Sequence, residues 1–155
     1  MSKSLERVRA ALIAGGDADT IVEAGQARTA AEAAAAAGCG VDQIVKSIIF
    51  RGEDSGHVVL FLTAGGQRVC ADKATALAGQ TLSRADADLV RAETGFAIGG
   101  VSPLGHPGPI PTFFDPHLMA FDQIWAAAGT PRHIFSMAPA RLLERTGATL
   151  ADFTI

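Results

Sequence analysis

The chain has 155 residues, 48% of them hydrophobic, with 13 lysines and arginines against 16 acids and a formal net charge of −3. That size and apolar content support one domain, spanning 1–155, with a continuous core that needs neither disulfide nor metal, and no apolar run approaches the roughly 20 residues of a membrane helix. The mild acidity and the scatter of basic residues exclude a protein that tracks a long stretch of DNA or RNA backbone, leaving room only for a small phosphate footprint.

The N-terminus, Met-Ser-Lys-Ser-Leu-Glu-Arg, carries charges where a secretory leader would be apolar, which places the protein in the cytoplasm. Cys39 and Cys70 form no Cys-x-x-Cys, and His57, His106, His117 and His133 stand apart from one another, so neither a metal nor any other cofactor has sequence support. Nothing in the pattern marks an interface, and a monomer is the default.

Leu5, Val8 and Leu12 recur at helical spacing before Gly15-Gly16, predicting an amphipathic first helix. Thr20 to Glu23 reads as a short strand. Thr29 with Glu32 is a capping-box pattern ahead of an alanine run that stops at Gly38, giving a second helix. Val45–Arg51 and Val58–Thr63 are two strands joined by a turn-like Gly52–Gly56, expected to pair antiparallel. Arg68–Ala71 is a strand candidate, Asp72 a helix cap for a segment ending at Gly79, and Asp86, with Ser83 as rival, the cap of a helix closed by Gly95. Thr112–Asp115, Gln123–Ala127 and His133–Met137 read as further strands, and Pro139 opens a last helix ending at Gly147. Helices mixed with short strands and a hairpin indicate an α+β domain rather than a regular βαβ repeat.

Two stretches stand out. In Ile44–Phe50 an apolar strand is interrupted by Lys46 and Ser47, and alternation puts Lys46, Ile48 and Phe50 on one face with Val45, Ser47 and Ile49 on the other. A lysine at a strand end that snorkels to water is the commoner local explanation; a fixed cation awaiting an anion is the functional one. Ala97–Pro111 is too rich in glycine and proline for a helix or central strand, and long fixed loops inside a domain are more often functional than idle. Its Gly99-Gly100-Val-Ser-Pro103 segment allows close backbone approach to a ligand, although alone it would be only a tight connector. Ser102 lacks the setting of a serine nucleophile and is expected to bond its own backbone.

Together, Thr29–Ala37, Asp42–Ile48, Thr94-Gly95, Gly99–Gly105, Asp115 and the Ala128-Gly129-Thr-Pro turn resemble the YbaK, or prolyl-tRNA synthetase-associated editing, family, over nearly the whole chain from about Leu5. The resemblance implies a mixed, largely antiparallel, barrel-like sheet with flanking helices. It implies a deacylase that hydrolyses the ester of a mischarged aminoacyl-tRNA, often tRNA(Pro), and so a partnership with the acceptor end and with a prolyl-tRNA synthetase. A synthetase pocket discriminates weakly against small or isosteric side chains, and a second site removes the errors.

By the same resemblance Lys46 contacts the terminal phosphate. Gly99 and Gly100 position substrate and water through the main chain, and the substrate's own ribose hydroxyl assists. Ser47, Ile48, Phe50, Val101, Ser102, Pro103, Asp115 and Gly129 are the expected substrate-binding residues, with Ile48, Phe50 and Val101 as walls of a small apolar pocket. Where members acting on Cys-tRNA(Pro) carry a serine, this chain has Ala127, which turns the expectation from cysteine toward alanine or serine. The alternative is a non-catalytic module that binds an aminoacyl-tRNA or nucleotide end beside a synthetase.

Overall fold

The apolar run beginning at Ile44 becomes β2 (Ile44–Gly52), the hub of the sheet in the computed structural model, which describes residues 2–155; Met1, first residue of the expected domain, lies outside them. One edge of β2 pairs along its length with β3 (Val58–Ala64), antiparallel from Val45↔Ala64 to Arg51↔Val58. Its other edge is shared between two strands. β6 (Ile124–Ala127) runs parallel to it at Ile44 and Val45, and β4 (Leu82–Arg84) antiparallel at Phe50 to Gly52. The residues between, Lys46 to Ile49, have no strand partner on that side among the described residues.

Outward from this hub, β7 (His133–Met137) pairs antiparallel with β6, and β1 (Val22–Glu23) with β7. On the far side β5 (Thr112–Phe114) joins β3 and β8 (Thr149–Leu150) joins β5, both in parallel. The sheet is therefore mixed, with the order β1-β7-β6-β2-β3-β5-β8 and β4 branching from β2.

Among the described residues five α-helices flank the sheet: α1 (Lys3–Ala14), α2 (Ala30–Ala37), α3 (Ala71–Ala78), α4 (Ala87–Thr94) and α5 (Pro139–Thr146). The starts of α2 and α4 and the glycine stops follow the signals read from sequence. Ser2, Thr29 and Asp86 accept from the backbone amides of Leu5, Glu32 and Leu89, and Gly38, Gly79, Gly95 and Gly147 close four helices in the left-handed conformation. One face of the sheet meets α1, α4 and α5 through Val8, Leu12, Val90, Leu142, Leu60 and Phe114. The other buries Phe61, Phe153, Val59 and Ala74 of α3, and Phe61 stacks on Phe113 with ring centroids 5.2 Å apart.

Three local expectations are corrected. The α3 cap is Cys70, not Asp72, which falls in the first turn. The candidate strand Arg68–Ala71 reduces to a single bridge, Val69↔Thr154, because the helix already begins at Ala71. β1 keeps only Val22 and Glu23, while Thr20 joins β7 by its side chain, accepting from the Ser136 amide at 2.9 Å and donating to the Ser136 carbonyl at 2.7 Å.

α1 and α5 are tied by Asp17, whose carboxylate accepts from Arg141 Nε and Arg145 Nε, each at 2.7 Å. The same guanidiniums donate to the carbonyls of Gly15 and Ala11. The hydrogen bond from Arg141, with that from Arg145, holds the Asp17 carboxyl below its ordinary pKa against the opposing effect of burial. Asp17→Ala is expected to cost about 2 kcal/mol at neutral pH, since it removes the mostly buried carboxylate that two part-buried guanidiniums share. A carboxyl with a lowered folded-state pKa stabilises above its unfolded pKa and loses that contribution as pH falls through the folded value. Denaturant titrations should therefore show the wild type and Asp17→Ala converging in strongly acidic solution.

Candidate active site

The divided edge of β2 opens a cavity of about 490 Å³. Val45, Ser47 and Ile49, the alternate residues of β2, form its floor, and Trp125, Ala126 and Ala127 of β6 form one wall. Ala30 and Ala33 of α2 approach from one side, Arg84 and Ala85 from the end of β4, and Ile98, Gly99 and Val101 from the glycine-rich loop. Thr130, Pro131 and His133 complete the rim from the turn before β7. No aspartate, glutamate or cysteine lines the cavity among the described residues.

Lys46 also borders it. Its ammonium donates to the carbonyls of Gln67 at 2.8 Å and Gly65 at 3.3 Å, so its partners are neutral. The turn carrying those carbonyls is itself held by carboxylates. Asp42 accepts from the Gly66 amide at 2.8 Å and from Gln67 Nε2 at 3.3 Å, while buried Asp115 accepts from the Ala64 amide at 2.9 Å and from His117 through its amide and Nδ1. Gly65 is required there because a Cβ would strike the Val41 carbonyl. Burial, and then the nearby Arg68, push the Lys46 pKa below that of a free lysine, with Asp42 and Asp115 opposing.

The glycine loop is fastened to the same strand. Ser47 donates its hydroxyl to the Val101 carbonyl at 2.9 Å, bridging the unpaired part of β2. Gly99 lies at φ +95°, and Gly100 is packed so tightly that a Cβ would stand 2.9 Å from Thr130 Cα and 3.0 Å from the Gly129 carbonyl. Gly129, at φ +93°, abuts the backbone of Ser4 in the same way, which locks loop, turn and α1 together. Thr130 Oγ1 lies 2.7 Å from His133 Nδ1 and accepts from the Arg132 amide at 3.1 Å.

Residues 24–144 match the family model for the aminoacyl-tRNA editing domain. The chain belongs to this family. A solved structure of a proposed trans-editing enzyme for prolyl tRNA synthetase is 45% identical, covering 100% of this chain and 99% of that one, with a TM-score of 0.91. The hypothetical protein APE2540 is 29% identical with a TM-score of 0.86, covering 96% of this chain and 99% of that one. The uncharacterized protein YwhH of Bacillus subtilis (strain 168) is 29% identical over 116 residues, 75% of this chain and 73% of that protein. The α+β fold and the resemblance to the YbaK editing family are thus borne out.

In this editing domain, Lys46, Ser47, Gly99 and Val101 all border one cavity, while Gly100 is buried outside its lining against Gly129 and Thr130. Ile48 and Phe50 do not reach it. Strand alternation sends both to the opposite face, against Val59 and Phe61, and the Lys46 side chain with them. Lys46 therefore borders the cavity as a strand residue while its ammonium meets the Gly65 and Gln67 carbonyls outside the lining, and Val45 and Ile49 face the cavity instead. Ser102, Pro103, Asp115 and Gly129 are buried outside the cavity lining. Ser102 accepts from the Leu104 amide at 3.1 Å, the local bonding expected of it, and its carbonyl accepts from His106 Nε2 at 2.7 Å.

The sequence reading missed Arg28, Arg84, Trp125, Thr130 and His133. Their shared cavity depends on long-range strand order; the one local signal was the Gly129-Thr-Pro131 turn ahead of His133. Gly100→Ala is expected to displace the 129–131 turn and lower stability by about 1–3 kcal/mol through overpacking. Trp125, the one tryptophan of the chain, reports the cavity wall, and its emission should shift in a Gly100→Ala protein that still folds.

Proposed function

We propose that this editing domain hydrolyses, in trans, the ester of a mischarged aminoacyl-tRNA, with tRNA(Pro) carrying alanine or serine as the preferred substrate over the cysteinyl form. The observation that carries this reading is a cavity bordered by a rigid glycine loop and by the strand residue Lys46, whose ammonium has only carbonyl partners, with no side-chain carboxylate or thiol in the lining among the described residues. A lysine held only by carbonyls keeps its full charge for an incoming phosphate. Burial strengthens that attraction relative to an exposed lysine.

With the terminal phosphate at Lys46, the aminoacyl ester lies toward Gly99 and Val101. Main-chain groups of the loop hold the ester and a water molecule. The water oxygen attacks the ester carbonyl carbon, the neighbouring ribose hydroxyl relays the proton, and the bond to the esterified ribose oxygen breaks. That oxygen leaves protonated and the amino acid departs as a carboxylate. No side-chain base is needed, because orientation and fixed dipoles carry the catalysis. Ser47 is committed to Val101 and acts as a positioning residue. Ala127, on the cavity wall, offers a methyl group and no hydrogen bond to a substrate thiol, which supports the preference against cysteine. Association with a prolyl-tRNA synthetase, suggested by the most similar structure described above, would bring the domain to freshly mischarged product.

Hydrolysis assays on tRNA(Pro) charged with alanine, serine, cysteine and proline test the reading, with release of alanine or serine expected to be fastest. Lys46→Gln is expected to lower kcat/KM by about 10- to 150-fold, the equivalent of roughly 1.5–3 kcal/mol for one charge-assisted contact. Because the Lys46 pKa is lowered, wild-type kcat/KM should decline on the alkaline side earlier than an ordinary lysine would allow, and the Lys46→Gln profile should lack that limb. Binding of aminoacyl-tRNA with no release of any of the four amino acids would make the domain a binding module instead.

A further inference from the structure

Of the 13 basic side chains, Lys3, Arg7, Arg68, Arg91 and Arg132 form no ion pair among the described residues and lie outside the cavity lining; the other eight fall into two sets. Arg9, Arg51, Lys73, Arg141 and Arg145 each lie against a carboxylate. The three cations that line the cavity, Arg28, Lys46 and Arg84, form no ion pair among the described residues. The acids nearest Arg28 and Arg84 in sequence have other partners: Glu32 receives the Thr29 hydroxyl at 3.2 Å, and Asp86 caps α4 through the Leu89 amide at 2.8 Å. In a chain of net charge −3, this cavity thus has three basic residues and no acidic one in its lining among the described residues.

The placement of these cations is unequal. Lys46 is half-buried within β2, whereas Arg28 and Arg84 are exposed on opposing elements, the segment that caps α2 and the end of β4. Arg84 pairs with Phe50, four residues along β2 from Lys46, a separation of about 13 Å along the strand. At that separation each can hold its own phosphate, and a single-stranded RNA end is flexible enough to place successive phosphates at the rim.

On the strength of the deacylase reading, we propose that Arg28 and Arg84 form an acceptor-end clamp that grips backbone phosphates preceding the terminal nucleotide, while Lys46 takes the last one. The clamp makes the domain read a single-stranded 3′ end of several nucleotides rather than a lone aminoacyl-nucleoside. Its guanidiniums give sequence-independent grip, since phosphate contacts position a nucleic acid without reading its bases.

Trp125 on the cavity wall supplies a binding signal that does not depend on hydrolysis. The full-length protein is titrated with a short single-stranded RNA ending in CCA-3′, following Trp125 emission at salt concentrations from about 50 to 200 mM. Each single-strand phosphate contact contributes about 0.7 to the slope of log K against log salt, so three contacts give about −2. Arg28→Gln and Arg84→Gln are each expected to reduce that slope by about 0.7, the double variant to leave about −0.7, and the lysine replacements to restore it. Arg51→Gln, which removes an arginine already paired with Glu53, should leave the slope unchanged. Wild-type slopes in folded Arg28→Gln and Arg84→Gln proteins, an equal loss in Arg51→Gln, or no response of Trp125 to the RNA would each overturn the clamp. Failure of the deacylase reading is seen separately, as intact aminoacyl-tRNA in the presence of a protein whose RNA binding still shows these slopes.

Discussion

The constraint on which the structure depends is the division of one edge of β2. β6 covers its start and β4 its end, and neither extends across Lys46 to Ile49. A strand edge left unpaired exposes backbone donors and acceptors and ordinarily invites aggregation. Here the gap is roofed by a loop, with Ser47 bridging to Val101, and the space beneath becomes the cavity. The opposite edge, fully paired with β3, keeps the strand rigid, so the floor of the site is as fixed as the core.

Electrostatics follow from that arrangement. A lysine in the body of a sheet would be costly to bury without hydrogen bonds, and the turn at Gly65 to Gln67 provides two carbonyl acceptors. Asp42 and Asp115 stabilise that turn through its amides rather than by pairing with the ammonium. Carboxylates position the acceptors, and the ammonium has no carboxylate partner of its own, which on the proposed function keeps its charge for a ligand. A direct lysine–carboxylate pair would hold the side chain equally well but neutralise it.

Much of this was legible in the chain. The helix caps at Thr29 and Asp86, the glycine stops and the β2–β3 hairpin rest on local chemistry, and the structure repeats them. Lys46 and the Gly99 loop were singled out because a charge in an apolar strand and a dense glycine-proline segment each depart from local norms. What local chemistry does not carry is which strands meet. β4 and β8 are only three and two residues long, and they form because longer strands offer them edges. Asp115 illustrates the same limit, for its aspartate looked like a ligand group and is instead a buried bracket beneath the Lys46 turn. Ile48 and Phe50 show the reverse case: the alternation that assigns them to the far face was visible, and only the side on which the cavity lies was not.

The central claim is that the gap in β2 holds the aminoacyl end of a tRNA between Lys46 and the Gly99 loop. A crystal structure with a non-hydrolysable 3′-aminoacyl analogue of adenosine monophosphate tests it most directly. The expected result is the phosphate within hydrogen-bond distance of Lys46 Nζ and the aminoacyl carbonyl against the backbone of Gly99 to Val101. An analogue bound with its phosphate away from Lys46, or seated outside the gap between β6 and β4, would contradict the account.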